Sequence, residues 1–329
     1  MIGTQDLSDI YKPIKQDLNS FNEMIQKELT SKDRLIQSIH EYLLGVSGKQ
    51  LRPALAIICA RLSGDTSDVP IRLALAIELL HTATLIHDDI IDSSMYRRNQ
   101  LSMNAKWGTE ISIICGDYLY AKAFQVLSVL DDSNINKMFA QCARTMCEGE
   151  MKQVEARENL EITEEAYIEI ILKKTASLFQ AACAVGGYVA KQPANIIHCL
   201  SEYGKNFGLA FQIVDDCLDI IGEEEHLGKK TGIDFKKSDP TLPLIHLYQT
   251  MESHQREKLM RLIGSVDSNE KIEYFRQIKP MFISTGAVDK CIERAKSYAS
   301  QAFASARELP DSVYRKSLLD LLDYTLQRV

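Results

Sequence analysis

The chain has no C-x-x-C pair, no excess of positive charge and only short unbroken apolar runs, and each absence removes a class of function. Its 8 cysteines sit mostly inside apolar stretches, as with Cys59, Cys115, Cys183 and Cys217, so they read as reduced core residues rather than disulfides or a metal centre. Lys and Arg number 38 against 45 Asp and Glu, a net charge of −7. That balance argues against non-specific nucleic-acid binding, and any anionic ligand must be held by a local group of cations. The first residues are interrupted by Asp6, Asp9, Lys12, Lys15 and Asp17, unlike the apolar core of a signal peptide. Runs as short as Ala54 to Ala60 predict no membrane-spanning segment. The expected location is cytoplasmic. Strand alternation, hairpin signals, internal repeats and low-complexity linkers are also missing. Helical periodicity is what remains, and with 45% hydrophobic residues in 329 it predicts an all-α chain folded as a single domain over residues 1–329.

Against that background two stretches stand out. Glu78 to Arg98 reads E-L-L-H-T-A-T-L-I-H-D-D-I-I-D-S-S-M-Y-R-R. A helix turns about 100° per residue, so His81, Thr84, Asp88 and Asp92 share one face. Phe211 to Asp219, F-Q-I-V-D-D-C-L-D, repeats the pattern with Gln212, Asp215, Asp216 and Asp219. Carboxylates one turn apart repel, and inside apolar sequence they are costly without a cation. A single D-D-x-x-D is commonly a solvated helix end, but two copies flanked by apolar runs are not explained that way. Mg²⁺ suits them, because it takes one or two carboxylates and leaves its other positions to substrate phosphates. Zinc does not, since His81 and His87 point about 120° apart on a helix.

Cations lie close to both motifs in sequence. Gly48 to Pro53, G-K-Q-L-R-P, is a glycine turn carrying Lys49 and Arg52, and by itself it is no more than a basic loop. Arg97 and Arg98 follow the first aspartates, where they form either salt bridges or bidentate phosphate contacts, and the context favours phosphate. Lys173, Lys174 and Thr175 interrupt an apolar helix, so the lysines need partners. Glu223 to Pro243 reads as a long loop with Lys229, Lys230, Lys236 and Lys237, suited to a phosphate lid. Ser31, Asp68 and Thr163 are expected helix caps.

The ordered series G-K-x-L-R-P, H-D-D-x-x-D with R-R, G-D-Y-L at Gly116, G-E-x-x-Q, K-T-A, F-Q-x-x-D-D-x-x-D, G-K-x-x-G-x-D and P-T-L-P resembles the trans-prenyltransferases that make polyprenyl diphosphates, from Gly48 to Pro243. The resemblance implies the isoprenoid synthase fold, a helical bundle around a deep central cavity, usually as a homodimer. It also implies condensation of isopentenyl diphosphate onto an allylic diphosphate primer. By the same resemblance Asp88, Asp92 and Asp215 would ligate Mg²⁺, supported by Asp89, Asp216 and Asp219. Arg97, Lys174, Thr175, Gln212 and Lys229 would hold the allylic substrate, and Lys49, Arg52, His81 and Arg98 isopentenyl diphosphate. Two departures stand out: Asn99, Gln100, Leu101 and Ser102 replace the usual G-x-P-T after R-R, and Ser238 and Asp239 replace G-K before P-T-L-P.

Leu80, Ala83 and Thr84 precede the first aspartates by one to two turns, where a growing tail would pass. Short-chain members of the family commonly carry an aromatic at the position of Ala83, so its small side chain predicts a product of roughly C30 to C50. Tyr120 and Phe124 are candidates for a deeper floor. The alternatives are a farnesyl or geranylgeranyl diphosphate synthase, a terpene cyclase, or a non-catalytic subunit of a heteromeric synthase. A cyclase would carry a different second motif, and a non-catalytic subunit would be expected to lose one aspartate cluster or the R-R pair.

Overall fold

In a computed structural model of the chain, residues 6–45, 48–62, 64, 66–222, 231–265 and 268–329 are described, with backbone alone at 268 and 269. The helices in chain order are α1 (Leu7–Ile10), α2 (Lys15–Glu28), α3 (Arg34–Gly45), α4 (Leu51–Arg61), α5 (Val69–Ile91), α6 (Met103–Ser128), α7 (Ser133–Ala156), α8 (Glu164–Ile171), α9 (Ser177–Val189), α10 (Ala194–Ile221), α11 (Ile233–Lys237), α12 (Leu242–Thr250), α13 (Ser253–Ile263), α14 (Ser268–Ser284), α15 (Ala287–Arg307) and α16 (Val313–Leu326). The strands among the described residues are β1 (Tyr96–Arg97) and β2 (Gln100–Leu101), paired antiparallel. The fold is all-α, as helical periodicity predicts. Contacts sort the chain into two compact units: Met1–Ala143, Leu178–Gly204 and Ala304–Leu321 form the first, and Arg144–Ser177, Lys205–Phe303 and Leu322–Val329 the second.

In the first unit α5 is the central element, packed chiefly against α6 and α4. Nearly every residue from Leu73 to Leu80 is buried, with Ala83, Ile86 and Asp89 after them. By length and composition α5 could cross a membrane, with a mean hydropathy of 1.5 in an 18-residue window. Its 61% burial inside the protein makes it a core helix instead. Counting unbroken runs missed this, because Glu78, His81 and Thr82 interrupt a helix that is apolar on average. The unit's separate segments are tied by buried hydroxyls: Tyr203 donates to the Leu318 carbonyl at 2.7 Å and Ser317 to that of Ile10 at 2.9 Å.

Two local expectations change. Asp33, not Ser31, caps α3, its carboxylate accepting from the N–H groups of Leu35 and Ile36 at 2.9 and 3.1 Å. Ser31 lies too far upstream and instead accepts from the N–H of Asp33. Asp68 holds the cap position of α5, but its carboxylate turns to Arg72 at 3.1 Å. α6 begins at Met103, capped by the Ser102 hydroxyl, and Gly108 is a kink within it at φ +83°.

The second unit is built on Tyr167, Ile213, Val214, Phe235, Leu244, Phe275 and Phe282. Thr163 caps α8 as expected, accepting from the N–H of Ala166 at 3.2 Å with Glu164 and Glu165 in the first turn. Leu172–Ala176 widens into a π-helical turn, a local bulge often found at functional positions. Within the expected loop of 223–243, Ile233–Lys237 forms the short helix α11, entered through Gly232 at a left-handed φ of +74°, and α12 begins at Leu242. Lys229 and Lys230, expected in a lid, lie outside the described residues.

Candidate active site

In the first unit Asp88 and Asp92 end α5, half-buried and one turn apart, with the N–H of Asp92 on the Asp88 carbonyl at 2.8 Å. Asp89 faces elsewhere. It is buried, and the Arg97 guanidinium grips it twice, Nε to Oδ2 at 2.7 Å and Nη2 to Oδ1 at 2.8 Å. Of the two roles open to Arg97, the salt bridge is the one the structure contains. The guanidinium neutralises the middle aspartate and leaves Asp88 and Asp92 as the carboxylates on the His81 face.

Arg98 and Asn99 are the two central residues of the β1–β2 turn, at φ +48° and +62°. Positive φ at both positions is the primed hairpin turn, and Asn is among the few side chains that tolerate it. The substitution of Asn99 for the family's glycine is therefore compatible with the turn. Arg98 lies against Gly48, where any Cβ would overlap its guanidinium, so the G-K-x-L-R-P turn and the R-R ribbon meet through that glycine. Arg52 Nη1 lies 3.2 Å from His81 Nε2, and its guanidinium stacks 4.1 Å over the Phe179 ring. Burial, and then the charges of Arg52, Arg98 and Arg97, hold His81 well below the usual imidazole range, so it is neutral at pH 7. Burial pushes the neighbouring Glu78 carboxyl up, with Arg52 and Arg98 opposing. Arg52, His81 and Arg98 are thus brought together. Lys49 is exposed, its carbonyl accepting from Tyr11 at 2.9 Å.

A cavity of about 520 Å³ in this unit is walled by Phe21, Ile25, Thr82 and Leu85, with Glu78 and Arg98 also lining it. It lies on a flank of α5 about 100° from the Asp88 face. Leu80, Ala83 and Thr84 are not in that wall: the first two are fully buried, and the Thr84 hydroxyl donates to the His81 carbonyl at 2.7 Å. Tyr120 stacks on His87 with centroids 6.1 Å apart, and Phe124 is half-buried.

In the second unit the D-D-x-x-D carboxylates divide their work. Asp215 is half-buried and accepts from Arg328 Nη2 at 2.6 Å. Asp216 is buried in a chain that the sequence does not reveal: Tyr167 donates to it at 2.7 Å, Gln212 at 2.8 Å, and Thr175 to Gln212 at 2.9 Å. Burial pushes Asp216 up to about 7 against those two donors, and the charges of Asp215 and Asp219 add to the rise. Asp219 accepts from the N–H groups of Ile233 and Asp234 at 3.3 and 3.1 Å, which anchors the start of α11. Lys173 pairs with Glu148 and Glu169 at 3.3 and 3.4 Å, and Lys174 with Glu150 at 2.5 Å. These are the partners that two lysines in an apolar helix require. Gly149 makes the approach possible, since a Cβ there would overlap the backbone of Lys174. The Ser238–Asp239 departure is structural: Arg157 holds Asp239 at 2.9 Å, and Lys271 donates to the Ser238 hydroxyl at 2.7 Å.

Among the described residues no three His, Cys, Asp or Glu side chains converge to hold a metal ion unaided. Hard carboxylate pairs beside arginines and lysines fit a divalent cation whose remaining ligands come from a phosphate-bearing substrate.

A family model described as polyprenyl synthetase matches residues 33–279. The chain is 34% identical to the all-trans-nonaprenyl-diphosphate synthase (geranyl-diphosphate specific) of Rhodobacter capsulatus, over 98% of each chain. It is 32% identical to the geranylgeranyl diphosphate synthase of Saccharolobus solfataricus, over 99% of each. The solved polyprenyl synthase of Caulobacter crescentus, complexed with calcium and isoprenyl diphosphate, superposes with a TM-score of 0.93 at 33% identity over 99% of both chains. With the paired aspartate helices, the R-R ribbon and the whole-length likeness in agreement, the chain belongs to the polyprenyl synthetase family.

Proposed function

We propose that the chain, acting as one catalytic domain, condenses isopentenyl diphosphate onto an allylic diphosphate in a Mg²⁺-dependent reaction, yielding an all-trans polyprenyl diphosphate of roughly C30 to C50. The observation that carries this reading is the pair of aspartate helices, each with cations beside it and neither able to complete a metal site alone. Asp88, Asp92 and Asp215 would hold Mg²⁺, which would supply electrostatic stabilisation of the leaving diphosphate. Lys174, Thr175, Gln212 and Lys229 orient the allylic diphosphate, and Arg97 adds its charge to that site while it holds Asp89. Lys49, Arg52, Arg98 and neutral His81 hold isopentenyl diphosphate, whose alkene attacks the allylic carbon as the carbon–oxygen bond breaks and a proton is lost. The likeness to a geranylgeranyl diphosphate synthase keeps a shorter product as the second reading, and the small Ala83 favours the longer one. A cytoplasmic homodimer is part of the proposal. Incubation with labelled isopentenyl diphosphate, a series of allylic primers and Mg²⁺ tests it: the expected products are chains of roughly six to ten isoprene units. Absence of any condensation overturns the reaction class, and termination near C15 or C20 overturns the length.

A further inference from the structure

Arg328, just beyond α16, has no part in the roles above, yet its side chain is built into the second aspartate cluster. Nη2 donates to Asp215 Oδ1 at 2.6 Å, and the guanidinium carbon stands 5.1 Å over the Phe211 ring. The side chain is only 18% exposed. Its other terminal nitrogen, Nη1, is buried and has no hydrogen-bond partner among the described residues. A buried cationic N–H without an acceptor gives up its hydration for nothing. The ring and the Asp215 contact restrain the fork, and the donors of Nη1 stay unused. The acceptor that suits one arm of a guanidinium whose other arm holds a carboxylate is a second anionic oxygen, and a phosphate oxygen meets that geometry.

We propose that Arg328 is a diphosphate-binding residue, with Nη1 donating to a non-bridging oxygen of the allylic diphosphate while Nη2 stays on Asp215. This rests on the reading of Asp215 as part of the diphosphate site. A guanidinium shared in this way both counts toward the positive charge at the leaving group and holds Asp215 in one orientation. A lysine in its place is a single point charge and cannot serve both anions with the same plane.

The test uses the full chain and the variants Arg328→Gln and Arg328→Lys. Titration calorimetry with inorganic diphosphate and Mg²⁺ should show binding weakened about tenfold or more in Arg328→Gln, the loss expected for one charged hydrogen bond. Arg328→Lys should recover part of it. Steady-state kinetics should show KM for the allylic diphosphate rising by a similar factor while KM for isopentenyl diphosphate stays near its wild-type value. Inorganic diphosphate binding and allylic KM unchanged in both variants would overturn the proposal, as would a fall in kcat alone, which would mean that Arg328 acts only by positioning Asp215. Should Arg328→Gln fail to fold, Arg328→Lys keeps the ion pair and carries the same two measurements. Wild-type chain that binds diphosphate but condenses nothing would refute the proposed reaction and leave the binding comparison standing.

Discussion

Asp89, Asp216 and Asp219 each carry a structural bond as well as a place in an aspartate motif, and that predicts unequal effects of substitution. Asp89 is spent on Arg97, Asp216 on Tyr167 and Gln212, and Asp219 on the start of α11. Alanine at Asp88, Asp92 or Asp215 should lower kcat on the order of 10²-fold or more, and at Asp215 it also removes the partner of Arg328. Near-normal turnover in all three purified variants would remove them from the reaction. Spacing alone placed five of the six carboxylates on two faces but could not tell which are engaged, because which one meets the Arg97 guanidinium or the Tyr167 hydroxyl depends on residues eight to forty-nine positions away. His81 shows the same gap. Its place on the Asp88 face was legible, and its neutral state was not, since that comes from burial beside Arg52, Arg98 and Arg97. Its folded pKa lies below the unfolded value of about 6.5, so the unfolded chain takes up the proton first and stability falls as pH drops below that value. The stability advantage of wild type over His81→Gln, from urea unfolding, should be constant above pH ~7 and shrink toward pH ~5.5; a flat difference would contradict the shift.

At the level of elements, the network that reaches from α8 through Asp216 to the π-turn is what fixes the second aspartate helix. Tyr167 is 3% exposed and donates its hydroxyl into the buried carboxyl, so Tyr167→Phe should cost about 1 to 3 kcal/mol of unfolding free energy. Unchanged urea midpoints would show that the bond is idle. No sequence pattern announces this residue, since a tyrosine in an apolar helix reads as core. The lysines of the π-turn were legible as needing partners, and the G-E-M-K-Q stretch supplies Glu150 for one of them. α5 carries the prediction on product length. Ala83 is fully enclosed, so Ala83→Phe fills space along the proposed tail path and should cost about 1 to 3 kcal/mol in overpacking. Condensation should continue because the aspartates are untouched, but products should stop near C15 to C20, one turn of about 5.4 Å being comparable with one extended isoprene unit. A product distribution identical to wild type would show that Ala83 does not border the tail.

On the scale of the whole molecule, the proposed homodimer has candidate contact residues in the first unit. Along α6 the residues Ile113, Ile114 and Tyr118 are 44%, 63% and 39% exposed, and before it Met95, Tyr96 and Leu101 are 58%, 70% and 43% exposed. Ile114 and Tyr118 are one turn apart, and Glu110, Asp117 and Ala121 share their exposed stripe. Single exposed apolar residues are ordinary, but a run of them with polar residues at its edges is the kind of surface the proposed partner would use. A second copy of the chain fits, since a two-fold interface places the same patch against itself and α6 would then cross its counterpart. The proposed homodimer makes two measurable claims. Light scattering at micromolar concentration should give twice the mass of the chain, and a monomer there would count against the dimer. Ile114→Asp, at a position open to solvent in the protomer, should leave the fold intact by circular dichroism while shifting the mass toward the monomer, because a desolvated carboxylate facing its own symmetry mate has no partner. A dimer that tolerates this aspartate would place the interface on another face.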